Sequence, residues 1–308
     1  MILGSRSVIM TSAQDFTDML ASDEDDIFVM LTDDLALTST LAVSGKKVTV
    51  DLGGKQLSSS STVFSVSNGG EIVLTNGEID SATTAVSVEA GGSLVLEGAD
   101  IVSTRKNGID VRGDNAIATI NSGTITSQEA GIAGFKNSTV IINGGTITGL
   151  DNGPLMGNGT VGDKANNGEN VNFIMNGGKL VAHIQSAGYT ACAVYMPNSG
   201  TFTMNGGEIE SDGCGICMRG GTVNLNGGKI TATGASGVLG KVGDSQITVG
   251  PYAVVYEAKS RYPHYDTLEL NIADGMELHG TDGDIAQVLE EGIEANIHDN
   301  RVETQTLP

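Results

Sequence analysis

The chain has 308 residues, of which 44 are glycine, about twice the usual share, with no tryptophan and only six each of Phe and Tyr. That composition excludes a conventional aromatic-rich globular core. The formal net charge of −21 argues against the basic footprint that phosphate binding needs, so no nucleic-acid partner is expected.

In chain order, MILGSRSVIM comes first, with one Arg and an apolar run too short for a secretory signal. The expectation is mature numbering or a protein not exported by that route, made in a cytoplasm. No window reaches the roughly 18 apolar residues of a membrane span, so no membrane partner is expected. TSAQDFTDMLAS then predicts a short helix, with Ser12 as N-cap and Asp15 three residues on. The stretch from Asp26 leads into the first strands. Residues 1–44 are thus expected to form an arm, a helical cap and opening strands.

Residues 45–280 repeat. Asn-Gly-Gly stands at Asn143, Asn176, Asn205 and Asn226, with degenerate copies at Asn76 and Asn121, each beside β-branched residues. The apolar residue after each turn falls at Leu57, Ile79, Ile101, Ile125, Ile147, Leu180, Ile209 and Ile230, in steps of 22, 22, 24, 22, 33, 29 and 21. Two further steps of 24 reach Val254 and Leu278. A period near 22 marks a solenoid. Each period holds three short alternating runs, which read as strands. The run before the turn has the in-facing pairs Ile72/Leu74, Leu94/Leu96, Val140/Ile142, Phe173/Met175, Phe202/Met204 and Val223/Leu225. Three strands per period coil into a parallel sheet, so residues one period apart stack ~4.8 Å apart, and ten turns make a rod on the order of 45 Å. Glycine accepts the positive φ of the corners, and the stacked Asn side chains bond one another as a ladder. After the repeat, DGDIAQVLEEGIEANI in residues 281–308 reads as a closing helix, followed by a tail.

The repeat resembles the right-handed parallel β-helix, or pectin-lyase-like, superfamily across roughly residues 45 to 280. The helix-then-strand opening and the NGG turns are most similar to its glycine-rich, non-enzymatic members, found as bacteriophage virion appendages and bacterial surface carbohydrate-binding proteins. The resemblance implies an all-β fold. For the enzymes of that superfamily it implies acidic residues on the outer face of one sheet, with Ca²⁺ and an Arg or Lys base in lyases, and Asp pairs with His in hydrolases.

The nearest such constellation here is Arg105, Lys106, Asp110, Arg112 and Asp114 in STRKNGIDVRGDN. Asp110 and Arg112 lie two apart on a strand and read as a surface ion pair, flanked on neighbouring turns by Ser87/Glu89 and Ala133/Phe135. No acidic cluster forms, and no catalytic residue is assigned. Glu78, Asp80 and Asp100, out-facing on adjacent turns, are the candidate Ca²⁺ ligands; no other cofactor is expected. In CGIC, strict alternation puts Cys214 and Cys217 on opposite sides. Cys192, one period before Cys214, would face inward beside it within disulfide range.

Two surfaces read as contact sites. Val73, Val95, Thr119, Ile141 and Ile174 form an out-facing apolar column suited to self-association, for instance around a trimer axis. Tyr256, Lys259, Arg261, Tyr262, His264 and Tyr265 gather aromatic and basic groups that suit a ligand or partner. A long polar insertion after Ile147 is a third place for function. The function expected first is a non-catalytic structural or adhesive protein, a virion appendage or decoration protein with residues 1–10 anchoring it. Second is a carbohydrate-binding surface protein, Ca²⁺-assisted or not, outside the cell. A polysaccharide lyase or hydrolase comes third.

Overall fold

A computed structural model describes residues 6–157, 169–183, 192–235 and 250–301. The chain is a parallel β-solenoid of ten turns. A representative turn runs through strand Thr139–Ile142, a corner at Asn143–Gly145, strand Thr146–Gly149, a loop, and strand Leu155–Gly157. The first two faces merge into one 20-stranded sheet, because strands Lys47–Ser59 and Glu71–Ser81 run round the corner without a break. The third face is a separate ten-stranded sheet.

The register is the one the repeat predicts. Leu57, Ile79, Ile101, Ile125, Ile147, Leu180, Ile209 and Ile230 stack in one column. All of the in-facing pairs named above are fully buried. The column departs from expectation at its last steps. Ile230 pairs directly with Leu278, while Val254 pairs with Ile216 in the third face. A fixed 24-residue step therefore misplaces Val254; its apolar character fits either face, and the length of the intervening chain decides.

The corners explain the NGG triplets. Asn143 Nδ2 donates to Asn121 Oδ1 at 2.8 Å, and the ladder continues through Asn176, Asn205 and Asn226 at 2.8, 2.8 and 2.9 Å. Gly145 has φ +81°, which side-chain-bearing residues rarely adopt, and a Cβ on Gly144 would lie 2.4 Å from the Asn121 carbonyl oxygen. Both glycines are needed: one for its torsion, the other for the close approach of the preceding turn.

The two ends differ. Helix α1 (Ala13–Leu20) forms as expected, with Ser12 Oγ accepting from the Asp15 backbone N–H, and buries Phe16, Met19 and Leu20 over the open end of the core. Phe16 meets Phe64 edge-on, with ring centroids 6.0 Å apart. Residues 6–10 are a strand in register with Asp26–Leu31, and Met10 is buried, so this part of the expected anchoring arm is the first rung of the sheet. The closing helix does not form. Gly283–Leu289 is a strand paired with Tyr252–Ala258. A short apolar run fits either period, and an open sheet edge offering six backbone partners outweighs the local preference. No described helix is long and apolar enough to cross a membrane.

Candidate functional site

The outer surface of the third face changes character along the rod. Towards its N-terminal half it is polar and holds an open groove of about 540 Å³, lined by Glu89, Ala90, Arg112, Gly113, Asp114, Phe135, Lys136 and Asn137. The local 23-residue period builds it, since Glu89, Arg112 and Phe135 follow strands paired in register and succeed one another on three turns. Arg112 is the centre. Its Nη2 donates to Asp110 Oδ2 at 2.6 Å, its Nε lies 3.7 Å from Glu89 Oε1, and its guanidinium stacks 4.0 Å above the Phe135 ring. Nε is enclosed and makes no hydrogen bond.

Asp110 differs from its expected form. It is only 8% exposed, so the pair with Arg112 is half-buried instead of solvated. Burial, outweighing the hydrogen bonds from Asn107 and Arg112, holds its carboxyl above the ordinary carboxylate range. Both of its oxygens are engaged, Oδ1 by Asn107 and Oδ2 by Arg112. Glu89 accepts from Ser87 Oγ at 2.5 Å. Asp114 accepts from Asn137, which in turn accepts from Asn170. The groove's carboxylates thus orient donors and an aromatic ring. Arg105 is exposed, and Lys106 pairs with Glu129 at 2.8 Å; neither lines the groove.

The candidate calcium ligands do not converge. Asp100 stands opposite Glu78, but Asp80 stands opposite Val102. Glu78 accepts from Gln56 Nε2 at 2.6 Å, and Asp100 accepts from the backbone and hydroxyl of Thr124. Among the described residues, no group of three or more His, Cys, Asp or Glu side chains is arranged to hold a metal ion.

The aromatic and basic segment divides into an anchor and a surface. Tyr256 and Tyr262 are each 1% exposed, which corrects their reading as contact residues. Tyr256 sits in the core and donates to the Leu268 carbonyl at 2.8 Å. Tyr262 donates to Glu257 Oε1 at 2.7 Å, and Glu257 Oε2 accepts from Arg219 Nε at 2.7 Å, with Glu257 and Arg219 both fully buried. Lys259 completes the network 2.6 Å from Glu257. Arg261, His264 and Tyr265 remain at least partly accessible. His264 Nε2 lies 3.6 Å from Glu169 Oε1, so this segment does reach the end of the long insertion. Residues 158–168 of that insertion, and the terminal residues 1–5 and 302–308, lie outside the described residues.

The apolar column falls in register as expected. Val73, Val95, Thr119, Ile141 and Ile174 are consecutive cross-strand neighbours, each half-buried.

The cysteines overturn strict alternation. Gly215 and Ile216 both face inward: a Cβ on Gly215 would lie 2.4 Å from Ile230 Cγ2, and Ile216 belongs to the core. Two inward residues in succession leave Cys214 and Cys217 on the same outer side. There they pack with Cys192, Tyr195 and Val255 in a second apolar cluster.

No family model, curated protein or solved structure matches the chain. Sequence reasoning found Glu89, Arg112 and Phe135 only as neighbours in a column. Period and alternation place these three in one column; what they do not show is the burial of Asp110 and the stacking of Arg112 on Phe135 that make the column a site.

Proposed function

We propose that the chain is a non-catalytic structural and adhesive solenoid whose groove receives a hydroxyl-rich saccharide. The observation that carries this reading is Arg112, held against Phe135 by two carboxylates in the lining of an open groove. A guanidinium with donors to spare beside an aromatic ring suits sugar hydroxyls and ring faces. The engaged oxygens of Asp110 and the Ser87 bond on Glu89 favour binding over acid–base cleavage. A bacteriophage virion appendage or decoration protein is the setting that the repeat's resemblance favours; a bacterial surface carbohydrate-binding protein is the second.

The test is retention on a panel of neutral and acidic polysaccharides, with Ca²⁺ and with EDTA, reading new chain ends in the same samples. At least one polysaccharide should retain the protein uncut, and Arg112→Ala should weaken retention at least tenfold with the fold intact. Chain cleavage would overturn the non-catalytic part, and loss of all retention would overturn the adhesive part.

Self-association through the apolar column is part of the same reading. If the protein is oligomeric in solution, Val95→Lys combined with Ile141→Lys should reduce its mass to that of one chain. An unchanged mass would remove the column as an interface.

A further inference from the structure

The three thiols lie where the solenoid is least regular. Along the third face, successive in-register residues are Ile109, Ile132, Leu155, Val194, Ile216 and Val254, giving steps of 23, 23, 39, 22 and 38 residues. Cys192 and Cys214 are register partners on the one regular step between two long excursions. Adjacent strands place such partners about 4.8 Å apart, inside the Cα range of a disulfide, about 4.4–6.8 Å. Neither is bridged in this structure, and both are buried with Cys217 in one cluster.

We propose that Cys192 and Cys214 are an oxidative cross-link site joining two successive turns, with Cys217 the neighbouring thiol onto which the bond can exchange. The chemistry needs a low-molecular-weight disulfide as oxidant. Because the cluster is enclosed, the step proceeds through local opening: the thiolate of Cys192 then attacks the small disulfide, forming a mixed disulfide and releasing one small thiolate. The thiolate of Cys214 then attacks the Cys192 sulfur, forming the cross-link and releasing the second. Two electrons pass to the oxidant, and the two protons lost by the cysteines end on the small thiols. The closed bond would fix the register of the one turn that long excursions flank on both sides.

Burial, followed by the hydrogen bond with the Cys214 thiol, holds the Cys192 thiol well above the ordinary range, and burial raises Cys217 likewise. The attacking thiolate is therefore scarce near neutral pH, and closure should accelerate as the pH rises.

The test uses the full chain, folded, with glutathione disulfide at pH 7 and pH 9. Acid quenching, denaturation and alkylation are followed by intact mass and peptide mapping. Wild type should retain one alkylatable thiol of three, with a peptide joining Cys192 to Cys214, formed faster at pH 9 and reversed by dithiothreitol. Cys217→Ser should still form that link, and Cys192→Ser should not. Three alkylatable thiols after prolonged exposure, or mixed disulfides without an internal link, would overturn the proposal.

Discussion

Phe202→Ala is expected to destabilise the protein by about 3–5 kcal/mol, read as a lower urea midpoint at unchanged slope. Phe202 is fully buried, stacked between Phe173 on the preceding turn and Val223 on the next. The backbones on either side are tied into parallel ladders, so the shell cannot close over the space left behind. The interior is filled from all three faces. A Cβ on Gly134, in the third face, would come within 2.8 Å of the Phe173 ring, which shows how far these rings reach across. Phe202→Leu refills most of the volume and should cost clearly less. Thr203→Ala, one residue along on the half-buried outer surface, should stay within about 0.5 kcal/mol. A loss below about 1 kcal/mol for Phe202→Ala would mean that the stack is looser than its burial indicates.

The interior was legible in the sequence because it depends on two periods alone. Alternation selects Ile72 and Leu74, or Phe202 and Met204, as in-facing, and the 22-residue repeat puts them over one another. The Asn-Gly-Gly corners were equally legible, since their chemistry is local: an amide that stacks and a glycine with positive φ. The C-terminal strand was not. In DIAQVL the apolar positions satisfy a helical face as well as a strand, and the open edge at Tyr252–Ala258 that selects the strand is distant in sequence.

The sites were less legible for a related reason. Period-2 counting assumes an unbroken pleat, and the third face breaks it with consecutive inward residues such as Gly215 and Ile216. That single departure moves Cys214 onto the same side as Cys217. Burial by chain arriving from elsewhere was also hidden. Tyr262 was picked out for its aromatic and basic neighbours, yet the buried Arg219–Glu257 pair beneath it was not, because its members are 38 residues apart and meet only through the stacking of turns.

That pair carries the second large effect. Glu257→Leu should cost about 3–5 kcal/mol, because the fully buried Arg219 guanidinium stays charged while the carboxylate on its Nε is removed. Lys259, 27% exposed, can turn to solvent; Arg219 cannot. The double change Arg219→Met with Glu257→Leu should recover part of the loss, since no charge is left bare there, although the Tyr195 and Tyr262 hydroxyls each lose a partner. Urea unfolding of the single and double variants closes the cycle, and equal losses in the single and the double would show that the carboxylate acts through Tyr262 instead. Limited proteolysis separates the two roles. Glu257 Oε1 receives the Tyr262 hydroxyl, so the single change should also free the segment bearing Arg261 from the rod and make the bond after Arg261 an early cut. In the double variant Tyr262 still lacks its acceptor, so that early cut should persist even as global stability returns. Docking of the surface segment would then be set by the Tyr262 hydrogen bond, and the cost to the fold by the desolvated charge.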